Sequence, residues 1–193
     1  MNLLFATSNT NKVHELEFLM PGRIQLMSLA DVNFHGDIPE EQATIEGNAI
    51  QKAEYAAKKW QLNCFADDTG LEVETLNGKP GVYSARYAGA QKNADDNMNK
   101  LLSNLEQHQN RSAQFVTQIA LIWRNELHLF SGVLAGTIIL EKRGEHGFGY
   151  DPIFLPNGYD ITLAEMTIEE KNKISHRAIA TQKLIRFLKQ EMP

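Results

Sequence analysis

An α/β fold is predicted by three features of this 193-residue sequence. The N-terminus reads as strand, polar loop and helix. Residues 44–60 carry apolar side chains at helical spacing. Residues 113–140 hold two long runs rich in strand formers. Strands and helices are therefore mixed along one chain.

Asn2-Leu3-Leu4-Phe5-Ala6 makes the first strand, over 2–6. The polar run Thr7, Ser8, Asn9, Thr10, Asn11 and Lys12 follows. Val13, Leu16, Leu19 and Met20 then recur at helical spacing, which predicts a helix over 11–20 capped by Thr7, Ser8 or Asn9. A strand is expected near 24–28. In the helix over 44–60, Ile45, Ala49, Ala53, Ala56, Ala57 and Trp60 form one apolar stripe that reads as core, with Thr44 as its cap. Short strands are expected at 64–66 and 71–75, and a helix at 94–106. The runs at 113–123 and 127–140 are β-rich and read as hairpin partners or a long bent strand. A strand near 150–155 and a helix over 175–190 complete the pattern. Ser175 caps that helix, and Ile179, Leu184, Ile185 and Leu188 give it an apolar face. There is no repeat, low-complexity segment or evident linker, so residues 1–193 are expected to form one domain, or two lobes sharing one core.

Composition narrows the function. Apolar residues make up 42% of the chain, enough to bury a core, and the net charge of −5 argues against general nucleic-acid binding. The single cysteine, Cys64, cannot form an intrachain disulfide and reads as a small buried hydrophobe. No secretory signal is read at the N-terminus and no apolar run is long enough to span a bilayer, so the expected compartment is the cytoplasm, with no membrane partner. His14, His35, His108, His128 and His146 lack metal-ligand spacing. No serine lies in a nucleophile-elbow pattern, so acyl transfer has no support.

Four segments carry candidate chemistry. In Ala66-Asp67-Asp68-Thr69-Gly70, two adjacent carboxylates follow a short apolar run, which predicts a strand ending in a tight turn. Two such anions repel unless cations or hydrogen-bond donors compensate them. They also suit Mg²⁺, which takes one or two carboxylates plus substrate phosphates. A capped turn accounts for the same residues. At the N-terminus, open helix N–H groups attract anions and Lys12 adds a point charge, although capping explains Thr7 to Asn9 equally well. Walker-loop glycines are missing. In Gly147-Phe148-Gly149-Tyr150-Asp151-Pro152-Ile153-Phe154, the aromatic faces could stack a flat ring beside the Asp151 carboxylate, or pack in the core. In Lys171-Asn172-Lys173-Ile174-Ser175-His176-Arg177, the last two residues fall in the first turn of a helix, where cations oppose the dipole unless an anion is near. A solvated basic turn is the alternative.

Together these blocks, with Pro80-Gly81-Val82-Tyr83-Ser84-Ala85-Arg86-Tyr87, resemble the non-canonical purine nucleoside triphosphate pyrophosphatases, also called inosine/xanthosine triphosphate pyrophosphatases. The resemblance runs from the first strand to the last helix. Two departures stand out. Thr69 replaces a frequent serine and keeps the hydroxyl; Gly47 precedes Asn48 where an acidic residue is common, which leaves a metal role for Glu46 open. The resemblance implies an elongated mixed sheet with flanking helices, forming two lobes around a central cleft, and a homodimer.

It also implies the reaction: water attacks the α-phosphorus of ITP, dITP or XTP, releasing the monophosphate and pyrophosphate. Asp68 would bind Mg²⁺ and accept the proton of water, or orient the water. Asp67 would share that work or support the turn. Glu40, or its neighbour Glu41, would be the second metal carboxylate. Thr7, Ser8, Asn9, Thr10, Asn11, Lys12, Thr69 and Lys171 would hold phosphates and sugar. Phe148, Gly149, Tyr150 and Asp151, with His176 and Arg177, would hold the base, and Arg86 is a further candidate. Donors from His176 or Arg177 aimed at a 6-oxygen would be left unpaired against ATP. The rival readings are a Maf-type nucleotide pyrophosphatase and a non-catalytic purine nucleotide sensor.

Overall fold

The computed structural model describes residues 1–191. Its helices are α1 (Thr10–Glu17), α2 (Ile45–Trp60), α3 (Ala94–Asn104), α4 (Ile168–Ile174) and α5 (His176–Glu191). Its strands are β1 (Asn2–Phe5), β2 (Gln25–Met27), β3 (Cys64–Val73), β4 (Pro80–Gly81), β5 (Ser112–Trp123), β6 (Glu126–Ile138) and β7 (Phe154–Pro156). They form one mixed sheet in the order β2-β1-β3-β5-β6-β7, with β4 added to β3. β1 runs parallel to β2 and β3, whereas β4 is antiparallel to β3 and β7 to β6. The chain divides into two compact units, crossing between them within β3, β5 and β6 and at the junction of α4 and α5.

The first unit comprises residues 1–68 and 117–132 and the chain from His176. From Leu3 to Phe5 its β1 is apolar and buried, because both faces are covered there. Leu3 and Phe5 pack with Leu16, Phe65, Ile119, Leu184 and Leu188. Leu4 and Ala6 face the other way, against Ala49, Ala53, Ala56, Cys64 and Ala66. The stripe of small residues on α2 lets that helix lie close to the sheet. Phe5 and Phe65 stack at 4.5 Å across the parallel pair.

The second unit comprises residues 69–116 and 133–175. Leu71, Val73, Met98, Leu101, Leu105, Phe115, Ile138, Tyr150, Phe154 and Leu163 belong to its core, with Phe115 and Phe154 4.7 Å apart.

Three expectations are corrected. First, β3 does not stop at Ala66. It continues through Asp67, Asp68, Thr69 and Gly70 to Val73, so the predicted turn is strand. Second, the segment 171–177, for which a solvated basic turn was the alternative, holds the end of α4 and the start of α5; α4 begins at a capping box in which the Thr167 hydroxyl accepts from the Glu170 N–H and the Glu170 carboxylate accepts from the Thr167 N–H. Third, only Phe154 and Leu155 of the 150–155 segment are strand, as the start of β7; Asp151–Ile153 is a 3₁₀ turn with Pro152 inside it. The choice between hairpin and bent strand at 113–140 falls to two strands that neighbour in the sheet. Arg124 and Asn125 between them both have positive φ, as a type I′ turn requires.

Candidate active site

Strand alternation explains how two adjacent carboxylates are tolerated. Successive side chains on β3 point to opposite faces. Asp67 follows the parity of Phe65, toward the face covered by α1 and α5. Asp68 follows Cys64 and Ala66, toward the face covered by α2. Each is therefore compensated from a different side, and the repulsion expected in a turn is relieved.

On the α1/α5 face, Asp67 is 1% exposed. Its Oδ1 accepts from Lys12 Nζ at 2.9 Å and its Oδ2 from Arg177 Nε at 3.2 Å. Arg177 also donates to Glu15 in a very short contact. Lys12 comes from the first turn of α1, where Asn9 is the N-cap and its Oδ1 accepts from the Asn11 and Lys12 N–H groups. Thr7 braces that cap by accepting from the Asn9 N–H. Ser8, Thr10 and Asn11 are exposed.

On the α2 face, Asp68 is 9% exposed. Asn48 Nδ2 donates to its Oδ2 at 3.2 Å, and Lys52 Nζ lies 3.4 Å from its Oδ1. The same ammonium donates to Glu40 Oε1 at 2.5 Å. Glu40, rather than Glu41, thus meets Asp68 on a shared cation; the Glu41 carboxylate accepts from Gln51. Glu46 is exposed on the first turn of α2.

The electrostatics separate the two aspartates. Burial raises the Asp67 carboxyl, but Lys12, Arg177 and Lys52 outweigh it and hold the group well below the usual carboxylate range. At Asp68 burial prevails: the carboxyl is raised although Lys52 and Lys12 oppose the shift. Burial lowers Lys12 despite Asp67. Burial also disfavours the charged forms of Lys52 and Arg177, yet Asp68 and Glu40 hold Lys52 above its ordinary value, and Glu15 and Asp67 do the same for Arg177. The pair thus divides into Asp67, whose carboxyl is held low, and Asp68, whose carboxyl is raised.

The second unit carries its own constellation. Asp151 is buried, and its Oδ2 accepts from the Phe148 N–H at 2.8 Å and from Lys171 Nζ at 2.6 Å. Lys171 Nζ also lies 5.0 Å from the centroid of the half-buried Phe148 ring. Gly147 (φ +74°) makes this possible, since a Cβ there would stand 2.2 Å from Asp151 Oδ2. At Gly149 (φ +66°) a Cβ would meet open space. Tyr150 packs in the core and its hydroxyl donates to the Ser84 carbonyl, so it braces the segment. Arg86 lies over the Tyr83 ring at 5.4 Å. Thr69 is half-buried, at the first position of this unit.

Two sequence expectations change in meaning. The cations at the start of α5 need an anion, and for Arg177 Glu15 and Asp67 of the chain itself supply it. Lys171, expected among the phosphate and sugar ligands, sits with Asp151 and Phe148. His176 is buried beside Arg177. Three site residues escaped the sequence reading: Glu15, Asn48 and Lys52. A signal for the last two existed: residues 48 and 52 are one helical turn apart, four positions along α2. Both are polar, and they border the apolar stripe on the buried face of that helix.

The Ham1 family model matches residues 3–187. A protein of Flavobacterium psychrophilum named dITP/XTP pyrophosphatase is 55% identical over 98% of this chain and 100% of its own length. One of Bacillus subtilis with the same name is 47% identical over 96% of each chain. Among solved structures, the Staphylococcus aureus Ham1 protein superposes with a TM-score of 0.90 at 40% identity, covering 99% of this chain and all of that one. With the family pattern spanning both units, this chain belongs to the Ham1 family.

Proposed function

We propose that this protein hydrolyses non-canonical purine nucleoside triphosphates (dITP, ITP and XTP) to the monophosphate and pyrophosphate. The observation that carries the reading is the paired display of Asp67 and Asp68 on opposite faces of β3, with Glu40 and Asp68 converging on one buried ammonium. Near-full-length similarity to proteins named dITP/XTP pyrophosphatase supports it. Residues 1–193 act as one functional domain.

Mg²⁺ is the proposed cofactor, and the residues present fit it. Glu40 Oε1 and Asp68 Oδ1 are hard oxygen donors already drawn to a single positive charge at Lys52 Nζ. Two carboxylates completed by substrate phosphates are an ordinary Mg²⁺ set. When bound, the cation would neutralise charge on the triphosphate. The chain's own residues do the rest. Asp68 orients the attacking water and takes its proton as the new bond to the α-phosphorus forms. The bond from that phosphorus to the bridging oxygen breaks, and pyrophosphate leaves with the electron pair. Lys12 and Lys52 stabilise the developing negative charge, which is where phosphoryl transfer needs help most. Thr7, Ser8, Asn9, Thr10, Asn11 and Thr69 contact phosphate and sugar. Phe148 stacks on the base, with Gly149 giving room for close approach. Asp151, Lys171 and His176 supply polar contacts to its edge, and Tyr150 holds the segment in place. Arg177 serves by balancing Asp67 and Glu15.

The protein is further proposed to act as a cytoplasmic homodimer on small-molecule triphosphates, without nucleic acid. No helix among the described residues is long and apolar enough to cross a membrane. Sedimentation equilibrium should give twice the chain mass, and a mass of one chain at micromolar concentration would refute the dimer. Pyrophosphate release with Mg²⁺ from dITP and XTP, measured against ATP and GTP, tests the activity. A purine-nucleotide sensor would bind without turnover.

A further inference from the structure

Asn48 bonds one carboxylate of the pair, Asp68, and the loop that carries the other, Glu40. It lies on α2 and is 1% exposed. Its Oδ1 accepts from the Gln42 N–H at 2.9 Å, and its Nδ2 donates to Asp68 Oδ2 at 3.2 Å. The direction of this amide is dictated by chemistry. A backbone N–H can only donate and an ionised carboxylate can only accept, so one of the two amide orientations satisfies both partners and the other satisfies neither.

The consequences reach both carboxylates. Gripping Oδ2 fixes the plane of the Asp68 carboxylate and leaves Oδ1 facing Lys52 Nζ. Gripping the Gln42 N–H fixes the backbone two residues beyond Glu40, whose Oε1 meets the same ammonium. We infer that Asn48 is a positioning residue, which sets the spacing and orientation of Glu40 and Asp68 and so the affinity of the pair for a divalent cation. The inference rests on the proposed reading that these two carboxylates hold the metal. Gln51 provides the contrast. Its Oε1 accepts from the Glu41 N–H at 2.9 Å, tying the same loop to the same helix, but among its described bonds it reaches neither Asp68 nor Glu40.

The test compares Asn48→Leu, of similar size without polar atoms, with Gln51→Leu. Mn²⁺ affinity of the nucleotide-free protein is read by electron paramagnetic resonance, and kcat and KM for dITP are measured with Mg²⁺. Loss of a group that orients metal ligands commonly costs about 10- to 100-fold in metal affinity or activity. Asn48→Leu is expected to weaken Mn²⁺ and lower kcat by that factor, with KM for dITP within about threefold of wild type. Gln51→Leu should leave all three within about threefold, the scale of an ordinary surface substitution. The positioning role is overturned if folded Asn48→Leu keeps wild-type Mn²⁺ affinity, if its loss lies in KM alone, or if Gln51→Leu loses as much. Should Asn48→Leu fail to fold, Asn48→Ser, too short to reach both partners, is judged by the same outcomes. A wild type that releases no pyrophosphate would refute the proposed activity, while the Mn²⁺ comparison, which needs no turnover, would still decide the role of Asn48.

Discussion

Arg177→Met should destabilise the protein more than any surface substitution. The guanidinium is 2% exposed and bridges two buried carboxylates, Asp67 at 3.2 Å and Glu15 more closely still. Methionine refills much of the volume and supplies no charge, so each carboxylate loses a cationic partner. Breaking a buried pair from one side costs about 3–5 kcal/mol, because the remaining charge stays desolvated. Asp67 retains Lys12 at 2.9 Å, which favours the lower end of that range. For a chain of this size the loss corresponds to a fall in Tm of roughly 6–20 °C. The assay is urea unfolding at pH 7, followed by the same measurement on acidification. The Asp67 carboxyl is depressed in the fold, so its contribution is complete above the unfolded value of about 3.9 and fades as pH falls through the window below it. The gap between wild type and variant should therefore be full at pH 7 and narrow below about pH 4. Adding Glu15→Gln, which removes one stranded charge, should recover at least about 1 kcal/mol. A loss under about 1 kcal/mol at pH 7, within the range of ordinary substitutions, would refute the reasoning.

Asp68→Asn preserves size but removes charge and basicity; kcat for dITP should fall by at least about 10²-fold while the fold survives, and a variant above a tenth of wild-type turnover would contradict the role given to Asp68. Lys12→Ala should weaken dITP, XTP and ATP alike, because Lys12 is assigned to phosphate; a collapse of the dITP/ATP ratio alone would move it to the base. Lys52→Gln removes the cation that most opposes the upward shift of Asp68. That carboxyl should then rise further, and the acid limb of the kcat/KM profile should move to higher pH; an unmoved limb would dissociate Asp68 from that ionisation.

Much of the fold was legible because its elements satisfy local rules. β1, α2 with its Thr44 cap, α3, β5 and the apolar face of α5 follow from periodicity and capping alone. The errors lie where tertiary compensation overrides local chemistry. Asp67-Asp68-Thr69-Gly70 looks like a turn in isolation. It persists as strand because Lys12 and Arg177 meet one carboxylate while Asn48 and Lys52 meet the other, over separations invisible to a local reading. The same holds at Arg177, whose partner Glu15 is 162 positions away in sequence. α4 was missed for a different reason: it is short and polar, and only its capping box announces it. At the site, Asp68, Lys12 and the Phe148–Asp151 segment were readable as chemistry. The buried cations and the amide that order them were not.

The central claim is the activity, and steady-state pyrophosphate release with Mg²⁺ tests it most directly. Wild-type protein should turn over dITP and XTP with kcat/KM far above that for ATP. The margin can reach the order of 10⁴-fold if buried donors are left unpaired against the 6-amino group. Asp68→Asn should abolish the signal in the same assay. Equal rates on dITP, XTP and ATP, or release undiminished by Asp68→Asn, would contradict the account.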